Sequence, residues 1–209
     1  MTSVTVNKNN SKNVLILASQ SPRRKSLLSQ LGYEFSVQAS AIDESLLSSE
    51  TPHDYVLRLA QQKALHVHNI LPLAEQKYTG VLGSDTCVVV DGKILGKPED
   101  ENDCLTTLSL LSGRQHQVLT AIALASDGNL QGQVIETHVT FKTLSKAEIH
   151  AYWLTGEPQD KAGSYGIQGL AGQFVKTING SYSAVVGLPL YETAQLLNGA
   201  GYLGTVVAK

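Results

Sequence analysis

The chain has 209 residues, 42% hydrophobic and 16% charged, with a formal net charge of −2. That length gives room for one large domain or two small lobes around a substantial core. The near-neutral charge excludes the broad basic footprint of a protein that grips extended nucleic acid.

Met1 to Asn13 is polar and lacks the apolar stretch of a signal peptide. Residues 1–12 therefore read as a frayed or disordered tail, ahead of a single domain at 13–209. Asn13 to Ala18 reads as a buried strand. Pro22 to Leu31 reads as a helix ended by Gly32, because proline is tolerated where the first helical N–H groups lack a partner. Glu34 to Gln38 is a second strand. Thr51-Pro52 opens a helix to about Asn69, with Val56, Leu59, Ala60, Ala64 and Val67 at helical spacing. Val81-Leu82 starts a strand that ends near Gly83-Ser84-Asp85. Thr86 to Val90 continues as a strand, and Asp91-Gly92 is a hairpin turn signal. The next helix begins at Pro98-Glu99 and reaches about Ser112. Gln117 to Ala125 and Gln133 to Thr143 alternate as antiparallel strands around Asp127-Gly128. Ser145 to Glu148 is a capping box for a helix ending at Gly156. Phe174 to Ile178 is a strand, and Gly187-Leu188-Pro189 leads into a last helix, Leu190 to about Leu197. Strands and helices alternate early and hairpins fill the middle. The expected fold class is α/β, a mixed elongated sheet with flanking helices and two lobes around a cleft.

A few segments carry side chains suited to chemistry. In Ser19-Gln20-Ser21-Pro22-Arg23-Arg24, two arginines occupy the first turn of a helix. The positive end of the helix dipole disfavours them there unless an anion such as a polyphosphate completes the site. A solvated pair behind a helix cap is the plain alternative. Gly83-Ser84-Asp85-Thr86 puts a carboxylate at a strand end, where α/β enzymes place a metal ligand or base. Aspartates there also simply turn loops. Asp43-Glu44 is a second acidic pair. Lys63 lies inside a helix, where most lysines are solvated, and Lys97, in Gly96-Lys97-Pro98 just before a helix, could reach a phosphate. The segment is no P-loop, since Pro98 stands where Ser or Thr must bind magnesium. The glycine-dense stretch Asp160 to Gly169 contains Gln168 and lets backbone approach something flat. The six histidines form no ligand cluster, and no Gly-x-Ser-x-Gly supports a serine nucleophile. Cys87 and Cys104 form no CxxC, which fits a reduced cytoplasmic protein. No run reaches the roughly 18 apolar residues of a membrane span.

Taken in order, Ala18 to Arg24 with Leu27-Leu28, Asp43-Glu44, Leu59 to Ala64, Gly83 to Thr86 and Gly96 to Pro98 resemble the Maf family of nucleoside triphosphate pyrophosphatases. The resemblance continues through Asp160 to Gly169, Gly180 to Tyr182 and Val186 to Pro189, and covers about Val14 to Leu197. Asp85-Thr86 and the Gln168 loop are similar to the branch that hydrolyses dTTP and UTP, and less so to the branch acting on 7-methyl-GTP. The resemblance implies the fold shared with inosine triphosphate pyrophosphatases, a nucleoside triphosphate substrate, a divalent metal cation (Mg2+ or Mn2+) and a homodimer. No nucleic-acid or membrane partner is expected. It implies Asp85 as proton acceptor, with Glu44 as its acidic partner at the metal and Glu44 and Asp85 as metal ligands. Lys63 and Lys97 would complete the catalytic set. Ser19, Ser21, Arg23 and Arg24 would hold the triphosphate. Arg23, Thr86 and Gln168 would set base preference, the amide matching a pyrimidine's O4 and N3–H. Two other readings stand beside this one. They are a non-catalytic, nucleotide-binding regulator of septum formation, and a house-cleaning pyrophosphatase for non-standard purine triphosphates.

Overall fold

The computed structural model describes residues 14–205, so the tail expected at 1–12 lies outside the described residues. Strand β1 (Val14–Leu17) leads into helix α1 (Pro22–Gln30), then β2 (Ser36–Val37), α2 (Pro52–Asn69) and the short α3 (Leu73–Gln76). Next come β3 (Thr79–Val90), β4 (Lys93–Leu95), α4 (Glu101–Leu111), β5 (Gln115–Ser126) and β6 (Asn129–Phe141). Helix α5 (Lys146–Trp153) is followed by 3-10 turns at Glu157–Asp160, Ala162–Ser164 and Leu170–Phe174, then β7 (Val175–Asn179), α6 (Tyr182–Val186) and α7 (Leu190–Gly199).

The seven strands form one mixed sheet in the order β2-β1-β3-β5-β6-β7, with β4 paired to β3. The sheet and its flanking helices bear out the α/β expectation. Strand β5 pairs along β3 from Val81 to Val89, so β1 and β4 share the opposite edge of β3. Parallel β1 stops opposite Leu82, and antiparallel β4 ends opposite Val88. Between them, residues 83–87 of β3 face an opening on that edge.

Side chains alternate across the sheet. One face carries Val81, Cys87, Val89, Ala121 and Ala123 against Val56, Ala60, Ala64 and Val67 of α2. These helix positions are the ones the spacing predicts, and all four are fully buried. The other face carries two clusters. One packs Leu82, Ile122 and Leu124 with Leu27 and Leu28 of α1 and Leu197 of α7. The other packs Val88, Val118 and Phe141 with Leu108 of α4 and Ile149 of α5. A cleft runs between these two cores and reaches the opening in the β3 edge.

Several expected boundaries shift. Strand β2 is shorter than Glu34 to Gln38. Helix α4 begins at Glu101, not Pro98, because the Asp100 carboxylate accepts the N–H of Asp103 at 2.8 Å and caps it there. Strand β3 does not end near Asp85. It is continuous over twelve residues because β5 pairs along it, so Asp85 lies in mid-strand. Helices α3 and α6 are additional to the expected elements, and β4 is the short return strand of the Asp91-Gly92 hairpin. The helix α2 limits and the Ser145–Glu148 capping box match expectation. Among the described residues, no helix is long and apolar enough to cross a membrane.

Candidate active site

The cleft has a volume of about 960 Å³, and every expected site residue lines it: Ser19, Ser21, Arg23, Arg24, Glu44, Lys63, Asp85, Thr86, Lys97 and Gln168. Its floor is set by a close approach of α2 to β3. A Cβ on Gly83 would lie 2.1 Å from the Ala60 carbonyl oxygen and 2.8 Å from the Ala64 nitrogen. Only glycine lets the helix backbone come this near. The approach brings Lys63, between those two alanines, onto Asp85 two residues beyond Gly83.

Lys63 is nearly buried, unlike the solvated lysine that a helix usually carries. Its Nζ lies 2.7 Å from Asp85 Oδ1 and 2.7 Å from Glu44 Oε1. Asp85 is buried as well, whereas the Glu44 carboxylate is about half exposed. Two carboxylates from distant parts of the chain thus converge on one cationic point. That donor set fits magnesium or manganese, which take one or two carboxylates together with substrate phosphates and water. Among the described residues, no group of three or more His, Cys, Asp or Glu could hold a metal ion by itself.

Glu44 stands on a long loop stapled from behind by α2. Arg58 pairs with both Glu50 oxygens, at 2.6 and 2.7 Å, and donates to the Ser45 carbonyl at 3.0 Å. Tyr55 donates its hydroxyl to the Glu44 carbonyl at 3.1 Å. Burial, with the charges of Asp85 and Glu44, pushes the Tyr55 phenol up to about 12, so it stays a donor. Burial and Asp85 likewise push the cleft-lining Cys87 thiol up to about 12, which makes it a poor nucleophile.

One side of the cleft is built from α1. Ser21 caps the helix, accepting the Arg24 N–H at 3.4 Å. Arg24 reaches back under the cleft. Its Nε donates to the Gly187 carbonyl at 2.9 Å, and its terminal nitrogens donate to Ser19 Oγ at 3.4 Å and Thr86 Oγ1 at 3.2 Å. Those three bonds leave two of the five guanidinium N–H groups for a ligand. Burial lowers the Arg24 pKa, Asp85 opposes that shift, Arg23 adds to it and Glu44 opposes it. The Thr120 hydroxyl donates to the Ala184 carbonyl at 2.7 Å, so Thr86 donates to Thr120 at 3.0 Å and accepts from Arg24. Thr86 is therefore tied to the Arg24 guanidinium as well as facing the cleft. Gly187 (φ +127°) also accepts the Ser84 hydroxyl at 3.1 Å, which anchors α6 to the strand.

The opposite wall is the glycine-rich stretch. The Gly163 N–H donates to the Gly96 carbonyl at 2.9 Å, holding the Lys97 segment beside this wall. Lys97 is exposed and, among the described residues, enters no ion pair. Arg23 spans the cleft mouth to Asp160 at 3.8 Å, and Asp160 also pairs with Lys161. Gln168 is exposed on the rim, not buried. Several cleft residues were not assigned a role from the sequence: Tyr55, Glu157, Lys161 and Gly187. Lys161 and Gly187 lie inside segments that carry the family resemblance, which is the signal for both. Tyr55 and Glu157 gain their meaning from the backbone groups they reach.

The family described as Maf-like protein matches residues 14–200. A dTTP/UTP pyrophosphatase of Colwellia psychrerythraea is 70% identical over 209 residues, covering 100% of this chain and 99% of the relative. A relative of the same name from Pseudoalteromonas translucida is 59% identical over 187 residues, covering 88% and 96%. One from Vibrio cholerae is 53% identical over 184 residues, covering 88% and 96%. Among solved structures, the Ham1 protein of Staphylococcus aureus matches at TM-score 0.39 and 12% identity, covering 63% of this chain and 72% of that one.

Proposed function

The chain belongs to the Maf family, and on that premise we propose that it hydrolyses dTTP and UTP, with modified pyrimidine analogues, to the monophosphate and pyrophosphate. The observation that carries the reading is the Lys63 ammonium, 2.7 Å from both Glu44 and Asp85 on the floor of a nucleotide-sized cleft. The names of the full-length relatives support the same substrates.

Hydrolysis at the α-phosphate needs a water, a base to take its proton, and cations for the departing pyrophosphate. Asp85 is the base in this reading. Lys63 holds the Asp85 carboxylate at a defined point and supplies positive charge to the phosphates. Glu44 and Asp85 would hold a divalent metal, which when bound neutralises phosphate charge. Arg24, oriented by Gly187, Ser19 and Thr86, presents its remaining N–H groups to phosphate oxygens, with Arg23 on the same helix and Lys97 beside the opposite wall. Ser19 and Ser21 shape the turn that carries them. Gln168 and Arg23 face the base end, and Thr86 bears on selection through Arg24. The working unit would be one domain, 13–209, acting as a cytoplasmic homodimer, which light scattering on the full chain tests.

Pyrophosphate release from dTTP, UTP, CTP, GTP and 7-methyl-GTP, with and without magnesium, tests the activity. The expected result is release from dTTP and UTP well above the purine triphosphates, and dependent on the metal. Equal rates on dTTP, GTP and 7-methyl-GTP sink the pyrimidine preference. No release from any nucleotide that binds sinks the enzymatic reading.

A further inference from the structure

The turn that carries Gln168 lies between two 3-10 segments, and its two ends are tied to a pair of side chains that bond each other, Tyr152 and Glu157. Glu157 Oε2 accepts the N–H of Leu170 at 2.9 Å, and Oε1 accepts the N–H of Ala171 at 3.4 Å and the hydroxyl of Tyr152 at 2.8 Å. The Tyr152 oxygen in turn accepts the N–H of Gly166 at 3.2 Å. The turn closes on itself through Gly169 N–H to the Gly166 carbonyl at 3.0 Å. Residues 166–171 are thus gripped on both sides of Gln168 by one carboxylate and one phenol.

Three donors face the Glu157 carboxylate, and a carboxylate is the side chain that accepts from all three at once. Burial works against its charge, but the bonds from Leu170, Tyr152 and Ala171 outweigh that and hold its pKa below the usual range. Gly169 leaves the room this needs, since a Cβ there would lie 2.3 Å from Glu157 Oε2. The Tyr152 ring is buried edge-on against Phe174, with centroids 5.2 Å apart, so the hydroxyl is delivered from a fixed core position.

We propose that Glu157 and Tyr152 are positioning residues for nucleobase selection, setting the place of Gln168 through the backbone of residues 166–171. This rests on the reading above, in which Gln168 meets the base. Neither residue would touch phosphate, so their loss should act on recognition of the base and leave the triphosphate end alone.

The test pairs steady-state kinetics on dTTP and GTP with inorganic tripolyphosphate as a competitor that lacks a base, and with amide hydrogen exchange across 165–171. Tyr152→Phe and Glu157→Gln are expected to raise KM for dTTP about tenfold, with kcat changed by less than about threefold. The dTTP lead over GTP narrows by a similar factor. Inhibition by tripolyphosphate stays as in the wild type, and exchange at Gly166, Leu170 and Ala171 speeds up. Unchanged exchange overturns the proposal, and so does faster exchange with the dTTP lead intact. Gln168→Ala, run alongside, separates the two levels. If that variant keeps the full lead, the base-contact reading fails and takes the proposal with it. If it narrows the lead while both positioning variants keep it, the proposal alone fails. Should Glu157→Gln not fold, Tyr152→Phe removes a single oxygen, keeps the packing on Phe174 and carries the same readouts.

Discussion

Asp85 and Lys63 stand on a twelve-residue strand and an eighteen-residue helix, whereas Gln168 stands on a turn between short 3-10 segments. The floor is fixed by backbone meeting backbone at Gly83. The wall is fixed by side chains holding backbone, through Glu157 and Tyr152. Groups that move protons and charge need placement to fractions of an ångström, which packed regular elements provide. A loop that meets the variable part of a ligand can be reshaped without disturbing that placement. Damage to the floor should therefore abolish chemistry for every nucleotide, and damage to the wall should change which nucleotide is preferred.

The largest effect is expected from Asp85→Asn, which removes the proposed base and should cut pyrophosphate release by about 10²–10⁴-fold on all substrates alike. Circular dichroism should show the fold intact, because Lys63 keeps Glu44 as a partner. A folded variant with near-normal release removes Asp85 from its role.

Gly83→Ala attacks the same floor through packing alone. Its Cβ would sit 2.1 Å from a main-chain oxygen that cannot rotate away. Thermal or urea unfolding should show destabilisation at or above the upper end of about 1–3 kcal/mol. Turnover should drop as α2 carries Lys63 off Asp85, while the dTTP-to-GTP ratio holds. A shifted ratio with unchanged turnover would erase the division between floor and wall.

The core behind the wall carries a pH dependence. Burial holds His116 down at about 4 from its ordinary 6.5, and its Nε2 lies 2.8 Å from the Tyr165 hydroxyl. Below about 6.5 the unfolded chain takes up a proton that the folded chain refuses. The stabilisation is therefore whole above that value and is lost as pH falls toward 4. Urea titrations should show a loss of about 2 kcal/mol between pH 7 and pH 5 from this group. His116→Phe should flatten that part of the profile, and an unaltered slope in the variant assigns the dependence elsewhere.

Gln168→Ala is the mildest change. The residue is exposed on the rim, so the fold should not notice. Loss of one polar pairing with the base should narrow the dTTP lead about tenfold, seen in KM more than in kcat. Equal loss on every triphosphate, tripolyphosphate binding included, would move Gln168 to the phosphate end.

Elements whose pattern is local were legible from the residues. The α2 limits follow from Thr51-Pro52 and an apolar stripe, and the hairpin turns follow from Asp91-Gly92 and Asp127-Gly128. Glu44, Lys63 and Asp85, drawn from three separate motifs, meet in the structure. The local residues place an end of the strand near Gly83-Ser84-Asp85, because a glycine followed by two polar residues looks like a turn. Strand β5, more than thirty residues on, keeps β3 extended through Asp85. Arg58, Glu157 and Gly187 were missed for the same reason. An ordinary ion pair, a glutamate before a proline and a loop glycine acquire roles only from the backbone groups they reach.

What the sequence by itself determined was the set of elements with their apolar faces, the Maf resemblance and the list of candidate residues. Each of these is written in spacing of a few residues or in a motif read in order. Only the tertiary structure decided that Lys63 is buried between two carboxylates, that Thr86 bonds Arg24, and that Gln168 lies on a turn gripped by Glu157. Those relations join positions far apart in the chain, and they depend on how closely backbones approach. Gly83 shows why: the absence of one carbon brings a helix onto a strand, and no periodicity in the chain records where that carbon would have gone.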